Sequence, residues 1–384
     1  MSQGAPRSLF ITQDFPPRIG GAQSYYWGVM QTLRPEDLVI VAPHHPDAAA
    51  FDASHPYRVV RSSHSIMLPT ARSLDLALSL AREHEAELIQ LGHPLPNGLL
   101  GPALARRTGL PYLVFLGGAE LTLPAVVPGV GRALRSVLRG ASLLVAVSDY
   151  TASQAARQVK GQVATSTLRP AIDVGCFAPT SAEEAEGSRQ RLGVRGPLVV
   201  CVGRLVPRKG QDRLIDALAL LTPEYPDLEL ALVGSGRLDR ALARRAERRG
   251  VRDRVRLLGA LAPAELRPWF AAADLFASPC RTRWAGLEVE GFGIVFAEAA
   301  LAGLPVLAGR SGGAPEAVLD GDTGVVVDGS TAAGVAAGLA RLLRRSPEDR
   351  RAMGLRGRRL ALARHTPDFV GARYQALLRQ VAAS

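Results

Sequence analysis

The sequence predicts an α/β fold with parallel sheets, and three observations carry this prediction. The chain has 384 residues, 47% of them hydrophobic and 21% charged, which is the composition of a globular protein. Short apolar runs of strand length alternate with helix-length amphipathic segments from one end to the other, as in parallel strands joined by crossover helices. At roughly 100–200 residues per domain, this length favours two domains. All-α and all-β folds do not fit this alternation.

The predicted strands fall into two series separated by helical patterns such as Gln211–Leu221 and Leu238–Arg249. In the first half the strands are Ser8–Thr12, Asp37–Ala42, Leu88–Leu91, Tyr112–Leu116 and Leu143–Ser148. In the second half they are Leu198–Gly203, Glu229–Gly234, Val255–Gly259, Leu275–Ala277, Pro305–Ala308 and Gly324–Val327.

The composition changes once, at the small, polar and acidic stretch Pro179–Ser188. Such a stretch is typical of a linker between domains. We therefore predict a first domain over residues 1–178, a linker over 179–189, a second domain over 190–362 and a terminal helix over 363–384.

The charge balance favours anionic partners. There are 46 Lys and Arg against 35 Asp and Glu, a net charge of +11, which suits nucleotide diphosphates, anionic lipid surfaces or nucleic acid. Aromatic residues are only 5% and are not interleaved with the basic ones, which disfavours nucleic acid. The three cysteines are too few for a disulfide framework. The sequence has neither a signal-peptide pattern nor a candidate membrane span. We therefore expect a cytoplasmic protein that is at most peripheral on the inner face of the membrane.

The most informative segment is Cys201–Gly210, where a strand ends, a basic loop follows and a helix begins. Ligands of open parallel sheets bind at the carboxyl ends of strands, and helix N-termini favour anions. Arg204, Arg208 and Lys209 thus stand where a phosphate would be held, with Lys209 facing solvent. A solvated basic turn is the alternative.

A second segment, Glu288–Glu298, is a glycine-rich turn that runs into an apolar helix. Glu298 lies among apolar neighbours and needs hydrogen-bond partners, which ribose hydroxyls would supply. Gly291 and Gly293 allow a ligand to approach the backbone closely, and Glu290 heads the turn. A capping carboxylate on an ordinary helix is the alternative.

A third segment, Asp14–Gln23, places paired glycines directly after a strand, where backbone amides can meet a phosphate. No metal site is predicted, because the seven histidines have no ligand spacing and Asp320-Gly-Asp322 fits a tight turn before a strand.

Together these segments resemble the retaining glycosyltransferases of family four, which have the GT-B architecture, and most of all the GDP-mannose-dependent phosphatidylinositol mannoside mannosyltransferases. The residues that carry the resemblance are Asp14–Gly21, Arg204–Asp212, Val233–Arg237, Arg256–Gly259, Glu288–Val295 with Glu298, and Ser311–Glu316. It implies two Rossmann-like domains whose parallel sheets face each other across a cleft, with a C-terminal helix returning to the first domain. It also implies transfer of a hexose, mannose from GDP-mannose, to a glycolipid such as a phosphatidylinositol mannoside.

The resemblance assigns catalysis to Arg204, Lys209 and Glu290, with no cofactor and no metal. Arg204 and Lys209 would bind the donor diphosphate and stabilise the leaving group. Glu298 would hold the ribose, and the main chain of Arg256 to Leu258 would frame the base. The remaining donor-binding residues that it implies are Gly20, Gly21, Arg208, Gly291, Phe292, Gly293 and Ile294.

One segment departs from the family. Where relatives carry His-Gly-His-Glu, this chain reads Gly117-Gly-Ala-Glu120, so that Ala119 replaces the histidine that faces the sugar. Glu120 and His93 remain as candidate residues on the sugar side. The alternatives left open are a UDP-sugar-dependent transferase with another acceptor, a catalytically degenerate sugar-nucleotide-binding protein, and an epimerase of the same architecture.

The segment Pro128–Arg139 predicts a basic amphipathic helix, with Arg132, Arg135 and Arg139 at helical spacing. A helix of this kind can rest on anionic lipid headgroups, which suits a membrane-surface acceptor. A solvated packing helix is the alternative. The apolar residues beside these arginines are Val130, Leu134, Val137 and Leu138.

Overall fold

The computed structural model describes residues 4–127 and 129–384. Residues 1–3, at the start of the predicted first domain, and Pro128, at the start of the predicted basic helix, lie outside the described residues. The chain divides into two compact α/β units. Unit 1 runs up to Ile172 and resumes at His365–Ser384, and unit 2 is Asp173–Arg364.

In the described residues, unit 1 is built on a sheet of seven parallel strands in the order β3-β2-β1-β4-β5-β6-β7. The strands are β1 Ser8–Ile11, β2 Leu38–Ala42, β3 Arg58–Arg61, β4 Leu88–Leu91, β5 Tyr112–Leu116, β6 Leu143–Ala146 and β7 Thr165–Thr167. Strand β1 pairs with both β2 and β4, so the strand order reverses between β1 and β4. The inner strands are buried along their whole length because helices cover both faces of a parallel sheet.

The unit 1 helices include one from the end of the chain. They are α1 Gly21–Met30, α2 Ala48–Ala53, α3 Ala71–Glu83, α4 Gly101–Thr108, α5 Leu123–Val126, α6 Val130–Gly140, α7 Asp149–Gln158 and α15 Pro367–Ala382. Helix α15 buries Tyr374 completely, and the Tyr374 hydroxyl donates a hydrogen bond to Gln90 on β4. The predicted return of the C-terminal helix to the first domain is therefore confirmed.

Unit 2 contains a second parallel sheet, whose six described strands have the order β10-β9-β8-β11-β12-β13. These strands are β8 Leu198–Val202, β9 Glu229–Val233, β10 Val255–Leu257, β11 Leu275–Ser278, β12 Val306–Gly309 and β13 Gly324–Val327. Its helices are α8 Ala182–Leu192, α9 Gln211–Leu221, α10 Asp239–Arg248, α11 Pro263–Ala272, α12 Ile294–Leu301, α13 Ala332–Leu343 and α14 Pro347–His365. In this sheet the order reverses between β8 and β11.

Every predicted strand is present, with its ends within two residues of the prediction. The structure adds β3 and β7, which lie at the two edges of the unit 1 sheet. Both edge strands are partly exposed and short, so they lack the continuous apolar run by which buried strands are recognised.

The predicted linker over 179–189 is wrong, because most of it belongs to helix α8 of unit 2. Ser181 and Glu184 form a reciprocal capping box: the Ser181 hydroxyl accepts from the Glu184 amide at 3.1 Å, and the Glu184 carboxylate accepts from the Ser181 amide at 3.0 Å. The small and acidic residues that suggested a linker are those that begin a helix. The division between the units instead follows Ile172.

Helix α6 has the predicted amphipathic character, but its apolar face is not free. Leu134, Val137 and Leu138 are fully buried in the core of unit 1. These apolar residues therefore serve the core of unit 1, whereas Arg132 and Arg139 are exposed and Arg135 is half-buried. Across the described ranges, no helix combines the length and the apolarity needed to cross a bilayer.

Candidate active site

The predicted donor-site residues of unit 2 gather at one edge of its sheet, where β8, β11 and β12 end. The loop after β8 leads through Arg204 to Gly210, where α9 begins. The loop after β11 leads to Glu290 and then to α12. The strand order reverses between β8 and β11, and in open parallel sheets such a reversal is where ligands bind, at the carboxyl ends of the strands.

Gly210 allows the two loops to approach each other. Its φ is +79°, and a Cβ at this position would lie 2.2 Å from the carbonyl oxygen of Pro279. Only glycine combines that conformation with that proximity. The preceding residue, Lys209, is only 7% exposed, so the prediction that Lys209 faces solvent is wrong.

The centre of the site is a buried ionic cluster around Glu290. Its Oε2 lies 2.8 Å from the Lys209 Nζ, accepts a hydrogen bond from the Arg208 guanidinium, and lies 3.4 Å from the Cys280 Sγ. Burial alone would raise the pKa of Glu290, but the charges of Lys209 and Arg208 outweigh it and lower the pKa to about 2. Among the described residues every side-chain contact of this carboxylate goes to Oε2, which leaves Oε1 to accept from a ligand.

Arg204 is a further cation on the loop that carries Arg208 and Lys209. Its side chain is exposed, and within the described ranges its guanidinium has no hydrogen-bond or ion-pair partner. Its carbonyl oxygen accepts from the Gln211 side chain at 3.1 Å, which ties the loop to the first turn of α9. The site therefore presents one uncommitted guanidinium and two cations already held by a carboxylate.

Glu298 is placed by the start of α12. Gly293 has a φ of +83°, and Ile294, which follows it, is the first residue of the helix. Glu298 lies one turn further along, partly exposed. Desolvation raises the pKa of Glu298 to about 7, against the opposing charge of Lys209. Phe292 is buried beneath this turn, while Gly291 is partly exposed.

Arg256 and Leu258 are committed to the fold of unit 2. The Arg256 guanidinium pairs with Glu229, donates to the carbonyl oxygen of Gly193 at 2.8 Å, and lies 5.8 Å from the ring centroid of Trp269. The Leu258 amide donates to a carbonyl oxygen on β9. A role of Arg256 in framing a base is therefore limited to its main chain, as predicted from the resemblance.

Sequence reasoning missed the residues that hold the loops together. Arg281 forms a two-pronged ion pair with Asp212 on α9, at 2.9 and 3.0 Å, and its amide donates to the carbonyl oxygen of Arg208. The Ser311 hydroxyl accepts from the Glu290 amide at 3.2 Å. Arg281 and Asp212 are 69 residues apart, and no local pattern relates them.

In unit 1 the loops after β1 and β4 bring together a different set. The His93 Nε2 lies 2.8 Å from Asp14, whose other carboxylate oxygen accepts from Gln23 at 2.5 Å. His93 packs edge-on against the ring of Tyr26, with 5.4 Å between centroids. His93 is therefore anchored by the motif that contains the paired glycines.

Gly20 and Gly21 stand at the N-terminus of α1, as their predicted role requires. A Cβ on Gly21 would meet nothing within 4 Å, so its surroundings are open. On the loop after β5, the Glu120 carboxylate accepts from the Gly117 amide, and Ala119 is exposed. The Ala119 methyl group, which stands where the resemblance predicts a histidine, thus leaves the space of an imidazole ring unfilled.

Two α/β units with parallel sheets, one of which holds buried cations at its strand ends beside a glycine-rich helix start, are the elements expected of the GT-B class of glycosyltransferases. The family "Glycosyl transferases group 1" matches residues 184–360. The UDP complex of HepE from Anabaena shares the fold, with a TM-score of 0.83 and 22% identity over 97% of this chain and 99% of that one.

Relatives of known activity resemble nearly the whole chain. The GDP-mannose-dependent α-(1-6)-phosphatidylinositol monomannoside mannosyltransferase of Mycolicibacterium smegmatis is 42% identical over 96% of this chain and 97% of its own length. The GDP-mannose-dependent monoacylated α-(1-6)-phosphatidylinositol monomannoside mannosyltransferase of Corynebacterium glutamicum is 36% identical over 97% of this chain and 98% of its own length. This chain therefore belongs to the group 1 glycosyltransferases, in the same family as these mannosyltransferases.

Proposed function

We propose that this protein transfers mannose from GDP-mannose to a phosphatidylinositol monomannoside glycolipid. The observation that carries the proposal is the Lys209–Arg208–Glu290 cluster, which places buried cations at the end of a parallel strand next to the uncommitted Arg204. The substrate classes follow from the names of relatives that match over nearly the full length.

Arg204 and Lys209 stabilise the departing diphosphate. The bond between the anomeric carbon of mannose and the phosphate oxygen breaks, and negative charge collects on that oxygen. Cations fixed in a desolvated site stabilise such charge without reorganising, which makes this the largest contribution to the rate. Arg208 and Lys209 are already fixed by Glu290, and Arg204 closes on the diphosphate when the donor binds.

The transfer retains the configuration of the anomeric carbon. The acceptor oxygen bonds to that carbon on the face that the diphosphate leaves, and the acceptor hydroxyl proton passes to the departing phosphate oxygen. Glu290 has a pKa of about 2 and its Oε2 is occupied by cations, so it is a poor proton acceptor and acts through Oε1, on a sugar hydroxyl. Glu298 accepts from the ribose hydroxyls.

No metal ion takes part in this scheme, because the side-chain cations supply the charge that a divalent ion supplies elsewhere. Full activity in excess EDTA is the expected result. An activity that EDTA abolishes and Mg²⁺ or Mn²⁺ restores would contradict it. Retention is tested on the isolated product, whose new linkage must be cleaved by an α-mannosidase and not by a β-mannosidase.

The donor is tested by thermal shift and by transfer. A ligand at 100 times its Kd stabilises by about 2.7 kcal/mol, and for domains of this size this raises Tm by roughly 5–10 °C. We expect that shift with GDP and GDP-mannose, a much smaller one with UDP and UDP-glucose, and transfer of labelled mannose to phosphatidylinositol monomannoside. A rise in Tm with the UDP compounds alone would show that the donor is a UDP-sugar and not GDP-mannose. Donor binding without transfer would identify a degenerate binding protein.

The protein meets its lipid acceptor at an anionic membrane surface, through the arginines of α6, of which Arg132 and Arg139 are exposed and Arg135 is half-buried. Each basic residue near such a surface contributes about 1 kcal/mol. Replacing Arg132, Arg135 and Arg139 with Ser should therefore reduce co-sedimentation with vesicles containing phosphatidylinositol, while transfer to a deacylated, water-soluble acceptor stays unchanged. Vesicle binding that survives the triple substitution would contradict this role of α6.

A further inference from the structure

A strained hairpin, Arg283–Glu288, lies between β11 and Glu290 of the donor site. The two end residues exchange backbone hydrogen bonds at 2.9 and 3.2 Å, and the Arg283 guanidinium pairs with the Glu288 carboxylate at 2.7 Å. At the tip, Trp284 and Ala285 both have a φ of +50°, and Gly286 has a φ of +97°. Two consecutive non-glycine residues in the left-handed region are energetically unfavourable, and strain of this kind concentrates at functional sites.

The strained backbone holds a large apolar side chain in solvent. Trp284 is 59% exposed, whereas Trp269, also in unit 2, is buried. The Arg283 guanidinium lies over one face of the Trp284 indole, 4.7 Å from the ring centroid, and Glu288 fixes that guanidinium in place. The indole is therefore covered on one face by a cation, and the exposure of its side chain comes from the rest of its surface.

The hairpin is attached to the loops of the donor site at both ends. Before it, the Arg281 amide donates to the carbonyl oxygen of Arg208, and the Thr282 hydroxyl lies 3.2 Å from the Ser311 hydroxyl. After it, the Glu290 amide donates to the same Ser311 hydroxyl. The position of the indole is thus fixed relative to the cations and the carboxylate that serve the donor.

We propose that Trp284 is a carbohydrate-binding residue for the acceptor, and that its uncovered indole face stacks on the C–H face of a pyranose or cyclitol ring. This inference rests on the proposed function. An aromatic platform suits such a ring, whose hydroxyls point outwards and whose axial C–H groups form an apolar face. The donor is held by the buried cluster, so an exposed platform on the adjoining loop is available to the molecule that approaches the donor sugar from outside.

The decisive experiment compares Trp284→Ala with wild type in transfer to deacylated phosphatidylinositol monomannoside, which is water-soluble. We expect KM for this acceptor to rise about tenfold, the upper range for an aromatic contact. The kcat and the Kd for GDP-mannose should stay within about twofold, because the donor cluster is intact. Trp284→Phe should recover most of the loss, because it keeps an aromatic face.

Two control variants separate stacking from other effects. Ala285→Gly relieves the strained conformation and keeps the indole, so its KM should stay close to that of wild type. Phe369→Ala removes another exposed aromatic side chain, on α15 of unit 1, and should change nothing. An unchanged KM for the deacylated acceptor in Trp284→Ala would overturn the proposal. So would a loss seen only with acceptor in vesicles, because that result identifies a membrane-interface anchor instead.

Fluorescence gives a readout that does not depend on transfer. Titration of the wild-type protein with the deacylated acceptor should shift its tryptophan emission, and the Trp284→Phe variant should lose this shift. If wild type transfers no mannose at all, the proposed function fails, and the same titration with methyl α-mannoside and myo-inositol still tests the platform. No emission change with any of these three probes would overturn the inference about Trp284.

Discussion

At the carboxyl-terminal edge of the unit 2 sheet, basic side chains surround one buried carboxylate, whereas the same edge of the unit 1 sheet carries carboxylates and a histidine. In unit 2, Lys209 and Arg208 share Glu290. In unit 1, Asp14 pairs with His93, and Glu120 accepts from a backbone amide. Two sheets with the same topology at their switch points thus offer opposite chemistry, one rich in cations and the other in hydrogen-bond acceptors.

The largest expected effect comes from removing the central cation of the unit 2 cluster. Lys209→Met should lower kcat by about 10³-fold, because the diphosphate loses a fixed charge in a desolvated site. It should also lower stability by about 1.5–3 kcal/mol, since Glu290 loses a charged hydrogen-bond partner. Steady-state kinetics and denaturant unfolding measure the two losses.

The double variant Lys209→Met/Glu290→Gln separates catalysis from folding. It should recover only part of the stability, because the neutral amide no longer needs Lys209 but leaves the Arg208 guanidinium without its counter-charge, while the turnover stays low. Turnover close to that of wild type in the single variant would contradict the assignment of this cluster to the diphosphate.

A smaller effect is expected from the second carboxylate of unit 2. Because burial raises the pKa of Glu298 to about 7, the ionised form that accepts from ribose becomes populated only above neutrality. The Kd for GDP-mannose should therefore be about tenfold lower at pH 8 than at pH 6, measured by calorimetry. GDP-mannose is the suitable probe, since its diphosphate is doubly esterified and does not titrate in this range. In Glu298→Gln the dependence should disappear.

The free protein should show the matching change in stability. A carboxyl group whose pKa is raised on folding stabilises most below its ordinary pKa, and this contribution is lost as the pH rises through its folded pKa. Wild type should thus lose stability between pH 5 and pH 8 relative to Glu298→Gln, because the Glu298 pKa in the fold is about 7. Parallel stability profiles of the two proteins would show that Glu298 is not desolvated.

The smallest expected effect lies in unit 1. It tests whether the carboxyl-terminal edge of the unit 1 sheet lacks a hydrogen-bonding side chain at position 119. Ala119 is exposed, so Ala119→His places an imidazole there without a clash. One added hydrogen bond to a substrate hydroxyl contributes about 1 kcal/mol, which corresponds to a gain in kcat of about fivefold. Transfer from GDP-mannose is the measurement. No gain in kcat would indicate that the Asp14–His93 pair already supplies this hydrogen bond. In that case the gain from Ala119→His should appear when it is combined with His93→Ala.

The sequence predicts most of this arrangement because strands, turns and helix starts are local patterns. It places Arg208, Lys209 and Glu290 after strands of a parallel sheet, and parallel strands end at one edge. It does not reveal that Lys209 is buried against Glu290, because the two residues lie on loops that are far apart in the chain. The pairing of Arg281 with Asp212 escapes prediction for the same reason.

The acidic stretch near Ser181 shows how one local composition fits two structures. Serine followed by glutamate at the third position begins a helix, whereas small polar residues in general indicate a linker. Whether the stretch forms a helix or a linker depends on whether another element can pack against it. In unit 2, α8 packs against α11. The sequence does not predict strands β3 and β7, because these edge strands are only partly buried and their sequences lack a continuous apolar run.

Helix α15 has a consequence for synthesis on the ribosome. Unit 1 is translated first, yet its sheet acquires Tyr374, buried against Gln90 of β4, only from the last residues of the chain. Unit 2 is continuous over Asp173–Arg364 and has all of its strands before that segment is made. Folding during translation therefore completes the second unit before the first, and the face of β4 that α15 covers stays open until α15 has been made.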